Sequence, residues 1–169
     1  MVCHCKTCVA YPGMLGKADR VLDEHGGSDV FQMAPADFTL DEGLEHLACL
    51  RMTRKGALRW YASCCDTPLA NTLSGPGWPF IGVYPMILQR PEGEPLEALL
   101  GPVLARINGH FPAARARRIR ATRLALLTML LGLLWMTLRW RLAGRHGPLM
   151  FFDPKTRAPI REPELRHGP

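Results

Sequence analysis

Acidic residues are missing from one long stretch of this 169-residue chain: Arg115 to Arg145 contains no aspartate or glutamate. The same stretch holds eight arginines (Arg115, Arg117, Arg118, Arg120, Arg123, Arg139, Arg141 and Arg145), so it carries +8 while the whole chain carries +6. The remainder is slightly acidic, and an anionic partner is to be sought at this segment rather than over the whole surface. Aromatic residues are also scarce, with four Trp, three Tyr and six Phe beside 16 Gly and 15 Pro. That balance excludes a long helical bundle and predicts short elements joined by many turns. No basic stretch followed by an apolar run opens the chain, so a reducing, cytoplasmic setting is the expectation. With 47% apolar and 21% charged residues, wholesale disorder and a polytopic membrane protein are both excluded. The length suits one domain with its own core.

Composition divides the chain into three regions: 1–90, 91–145 and 146–169. The first holds all six cysteines and reads as mainly β. Leu47 to Thr53 and Leu58 to Ala62 are predicted strands of a hairpin across Arg54-Lys55-Gly56, with further short pieces at Val30 to Met33, Phe38 to Leu40 and Phe80 to Leu88. Gly82 and Pro85 make the last piece irregular. A short helix is expected within Val9 to Leu22, interrupted early by Pro12-Gly13. The second region opens with the linker Pro91-Glu92-Gly93-Glu94-Pro95 and continues over Leu96 to Ile107 as a helix broken at Gly101-Pro102 and stopped by Asn108-Gly109. It ends in the arginine-rich segment and fifteen uncharged residues, Leu124 to Leu138. As a helix these reach roughly 22 Å, short of a roughly 30 Å hydrocarbon core. A helix docked on the body is the first reading, an interfacial membrane helix the second, and a true span the third. In the tail, Phe151-Phe152 is an apolar patch expected to pack back, and nothing after Pro159 signals order.

Cys3-His4-Cys5-Lys6-Thr7-Cys8 is the most informative string. Cysteines two apart on a strand share a face, and a third can join them through a tight turn. Three thiolates so gathered suit one soft divalent ion, zinc above all, with a fourth position open or filled from elsewhere. His4 then points away from Cys3 and Cys5, toward solvent or behind the ligands. Cys49 lies within an apolar strand and reads as a core residue. Cys64 and Cys65 point opposite ways, and Cys65 is the expected metal-facing member, with Cys64 as the alternative fourth ligand. A bare thiol pair at Cys5 and Cys8 for redox chemistry is a further reading, without the βαβ context that would favour it.

Cys-His-Cys-x-x-Cys followed by Arg59-Trp60-Tyr61-Ala62-Ser63-Cys64-Cys65-Asp66-Thr67-Pro68-Leu69 resembles the family of the glutathione-dependent formaldehyde-activating enzyme and centromere protein V, in a bacterial branch. Val21-Leu22-Asp23, Gly26-Gly27-Ser28-Asp29-Val30 and Asn71-Thr72 fit the same branch, so the likeness covers about residues 2 to 84. It implies a β-tent fold of small antiparallel sheets built around zinc, with a catalytic-type zinc at the positions of Cys3, Cys5 and Cys8. The family's second, structural zinc uses an upstream Cys-x-Cys and a downstream Cys-x-x-Cys. Here no Cys-x-Cys precedes Cys3, and the downstream pair reads Ala62 and Cys65. Either a metal-binding strand precedes the start given, or this branch uses one metal.

Two functions follow as expectations. One is an enzyme of carbon–sulfur lyase type, handling a small thiol such as glutathione. The other is a non-catalytic, zinc-stabilised interaction module that meets a membrane surface through Arg115 to Arg145. Without aromatics interleaved among the arginines of 115–123, nucleic acid is not an expected partner.

Overall fold

In the computed structural model, which describes residues 1–89, 91–107, 123–147 and 150–166, sheets dominate a mixed architecture. The elements in chain order are β1 (Val2–Cys3), α1 (Lys6–Met14), α2 (Ala18–Val21), β2 (Ser28–Asp29), β3 (Phe31–Met33), β4 (Leu47–Arg51), β5 (Leu58–Ala62), β6 (Thr67–Thr72), β7 (Ile81–Val83), α3 (Leu96–Leu100), β8 (Arg106–Ile107), α4 (Arg123–Leu142) and β9 (Glu164–Leu165). Six strands form one sheet in the order β3-β7-β6-β5-β4-β9, and three form a second, β2-β1-β8. All pairs are antiparallel except β1 with β8 and β4 with β9.

Period-2 alternation sorts the central strands onto two buried faces. Leu47 and Cys49 of β4 and Leu58 and Trp60 of β5 enter one cluster, with Ala70, Ile81, Val83, Phe38, Phe151 and Phe152. Leu50 and Tyr61 enter a second cluster, with Tyr11 and Leu15 from α1 and its end, Val21, Val30 and Tyr84. The large sheet is therefore covered on both sides, and the helix carrying Cys8 lies on the second face. Phe151 stacks on Trp60 at 4.6 Å between ring centroids, and the Trp60 indole N–H donates to Thr72 Oγ1 at 2.9 Å. Cys49 is a core residue as expected, and burial pushes its thiol up to about 12.

The hairpin over 47–62 forms as predicted, and β7 gives way to a 3-10 turn at Pro85–Ile87. Four expectations are corrected. First, Phe38 to Leu40 is not a strand; a 3-10 turn at Pro35–Asp37 ends at Phe38, whose ring packs in the core. Second, α1 begins at Lys6 and runs through Pro12, whose missing N–H forfeits the bond to the Cys8 carbonyl; burial of Pro12 beside Tyr11 sustains the helix. Third, order continues past Pro159: β9 pairs with β4, and Arg161 donates to the Leu47 and Leu44 carbonyls at 3.0 and 2.7 Å. No hydrophobic pattern announces such pairing, which is made by backbone and guanidinium groups. Fourth, the helix expected to resume after Gly101-Pro102 and reach Ile107 does not: Arg106–Ile107 is β8, whose backbone pairs with β1. Of the helix expected over Leu96 to Ile107 only the part before Gly101 forms, as α3, and Leu124 to Leu138 lies within α4. Among the described residues no helix is long and apolar enough to cross a membrane. Arg115, Arg117, Arg118 and Arg120 lie outside the described residues.

Candidate metal centre

Cys3 closes β1, Cys5 is the extended residue preceding α1, and Cys8 sits in the first turn of that helix. The chain thus changes from strand to helix between its first and third thiol. This geometry replaces the strand-and-turn arrangement expected from spacing, but it reaches the same result. The three Sγ atoms lie within 4.8 Å of one another, an arrangement that can hold a metal ion. Cys3 is buried, and Cys5 and Cys8 are half-buried, so the cluster opens on the Cys5–Cys8 side.

Charge is distributed unevenly over the thiols. Hydrogen bonds from Cys3 and Cys8 hold Cys5 far below the usual thiol range, and Thr7 Oγ1 stands 3.4 Å from its sulfur. The start of α1 adds the positive end of a helix dipole. Cys3 is driven the other way, by its bonds to Cys5 and Cys8 and by burial. The negative charge of the cluster is thus favoured at Cys5 and disfavoured at Cys3.

Arg59 is the residue beside the thiols to which sequence reasoning assigned no role. It is 6% exposed, within the strand Leu-Arg-Trp-Tyr-Ala, and its Nη2 donates to Cys8 Sγ at 3.3 Å. Nη1 donates to Tyr84 Oη at 3.5 Å, and the guanidinium lies 5.4 Å from the centre of the Tyr11 ring. Asn71 Nδ2 holds the same Tyr84 oxygen at 3.0 Å. Burial works against the Arg59 charge, but Tyr84, Cys8 and Tyr11 outweigh it and keep the guanidinium firmly protonated. No carboxylate pairs with Arg59 among the described residues, so its counter-charge is the sulfur cluster. The available signal was a lone arginine in a strand otherwise made of core residues.

Cys64 and Cys65 stand outside the group of three. Both are exposed in the turn between β5 and β6, where Asp66 takes a left-handed φ of 51°. Their sulfurs are 3.6 Å apart, and Cys65 Sγ lies 3.1 Å from Thr67 Oγ1, a bond that lowers its pKa. His4 does not face solvent: it is fully buried, neither ring nitrogen has a partner among the described residues, and burial lowers its pKa. Gly27 makes the room, since a Cβ there would come within 2.6 Å of His4 Cε1 and 2.3 Å of Val2 Cγ1. No curated protein and no solved structure matches the chain. Residues 1–149 match DUF6151, a family of unknown function, and the chain belongs to that family.

Proposed function

We propose that the chain binds one zinc ion at Cys3, Cys5 and Cys8 within a β-tent framework, as a member of the formaldehyde-activating kind, and uses it to handle a small thiol such as glutathione. The carrying observation is the gathering of three sulfurs within 4.8 Å beside a buried, protonated Arg59. Sulfurs sharing one tetrahedral zinc at about 2.3 Å stand about 3.8 Å apart, within reach of this cluster, and three soft donors suit zinc. Three thiolates around a divalent cation leave one negative charge, which Arg59 is placed to offset.

Bound there, zinc supplies a Lewis-acid position that keeps an incoming thiol deprotonated near neutral pH. The half-burial of Cys5 and Cys8 leaves a side for that thiol to approach. Carbon–sulfur chemistry of this type is addition of the thiol to formaldehyde: the S–H bond breaks, the C–S bond forms, and the carbonyl oxygen takes the proton. The reverse step is the lyase direction.

Metal analysis of reduced protein tests the first claim. One zinc per chain is expected, and Cys8→Ser should lose it; equal metal content in both proteins would sink the site. For catalysis, metal-loaded protein should accelerate formation of the thiol–formaldehyde adduct above its spontaneous rate, and Cys8→Ser should not. A second reading, a purely structural zinc in an interaction module, is favoured by the position of the cluster: it joins a two-residue strand to α1. Under that reading chelation lowers the unfolding temperature while the adduct forms only at the spontaneous rate.

A further inference from the structure

We propose that α4 lies flat on an anionic lipid surface, seated through an apolar stripe that the rest of the chain leaves uncovered. Leu127, Leu131, Leu134, Trp135, Leu138 and Leu142 are 43% to 79% exposed. Their spacing of i, i+4, i+7, i+8, i+11 and i+15 places them on one face roughly 100° wide. The opposite side also carries apolar groups, Leu133, Met136 and Trp140, which are half-buried beside the buried Thr137. A helix that is apolar on both faces belongs between two covers. The chain itself covers the side of Thr137.

Charge selects the other. The segment containing α4 carries +8 over residues 115–145 without one acidic residue. A second copy presenting the same segment would bring two such charges together, which repel. An anionic bilayer satisfies both requirements, taking the leucines among its acyl chains and meeting the positive charge with its headgroups. Trp135 at 60% exposure suits the headgroup boundary, and Arg139 borders the stripe. The helix is also anchored at its end, where Arg145 pairs with Asp37 and Arg141 Nη2 donates to the Gly77 carbonyl at 2.7 Å. Those ties fix the last turn of α4 on the body, so seating the stripe brings the sheet domain to the surface with it. No helix among the described residues is long and apolar enough to cross, so the helix lies in the plane.

The test uses the full chain with vesicles of phosphatidylcholine alone or containing phosphatidylglycerol, read by co-sedimentation. Binding is expected only with phosphatidylglycerol present, and it should weaken several-fold as salt is raised. The double variant L131E/L138E should lower partitioning by about tenfold or more, and Arg139→Gln should lower it by a few-fold. Both alter exposed side chains, so an unchanged unfolding temperature certifies the fold. The proposal is overturned if wild type stays in the supernatant with both kinds of vesicle. It is equally overturned if wild type forms a dimer by sedimentation velocity that L131E/L138E abolishes while vesicles are not bound. The outcome is independent of metal content, so it stands or falls apart from the zinc reading.

Discussion

Arg59 shows how one residue couples the sheet to the thiols. Its charge is buried, bonded to Tyr84 Oη, which Asn71 of β6 holds in turn, and directed at Cys8. Groups that orient or balance metal ligands commonly change metal affinity by about 10- to 100-fold when removed. Arg59→Met is therefore expected to weaken zinc binding by about tenfold or more, measured by competition with a chromogenic chelator. Arg59→Lys keeps the charge but not the two-point fork, and should fall between. Wild-type affinity in a folded Arg59→Met protein would show that the contact is packing alone.

The turn that follows α2 illustrates the work of a short element. Asp23 accepts the backbone N–H groups of His25 at 3.0 Å and Gly27 at 2.7 Å, and it pairs with Arg106 of β8. Burial would raise its pKa, but Arg106 and the two N–H groups prevail and hold the carboxyl below its usual range. A depressed folded pKa means that the stabilisation is present above the unfolded value of about 3.9 and disappears as pH falls through the folded one. Asp23→Asn should therefore lower stability at neutral pH. The gap to wild type should close as pH drops below about 4, followed by urea unfolding across the acid range. A constant gap would place the effect in side-chain packing. The same turn delivers Gly27, whose lack of a Cβ admits the His4 ring. Backbone bonds and one missing side chain thus set the floor of the small sheet beside Cys3.

At the scale of the whole molecule, residues 150–166 close the core that the chain's first half opens. Phe151 is fully buried against Trp60 and Phe38, and β9 pairs with β4. Truncating a buried phenylalanine typically costs about 3–5 kcal/mol, lost transfer energy and residual cavity together. Phe151→Ala should destabilise the protein by that order in urea unfolding, although Phe151 is distant in sequence from the thiols. A loss under about 1 kcal/mol would mean that the tail packs without contributing to the core. Stability and metal binding should also be linked, because a ligand bound only by the native state raises stability by mass action.

Local chemistry was legible wherever it depends on residue type and short spacing. The triplet Cys3, Cys5 and Cys8 lies within six residues, so few backbone paths keep its sulfurs apart, and the cluster follows. The hairpin 47–62 and the core role of Cys49 follow from alternation, which any half-buried strand must obey. Contacts between residues far apart in sequence were not legible in the same way. Arg59 meets Cys8 across 51 positions, and Phe151 meets Trp60 across 91. His4 is buried because a loop bearing Gly27 closes over it, and Cys65 lies exposed in the turn between β5 and β6, outside the group of three. Spacing specifies which groups can meet when the intervening chain is short. When it is long, the meeting is decided by burial and backbone pairing summed over the whole fold, and only the tertiary structure carries that sum.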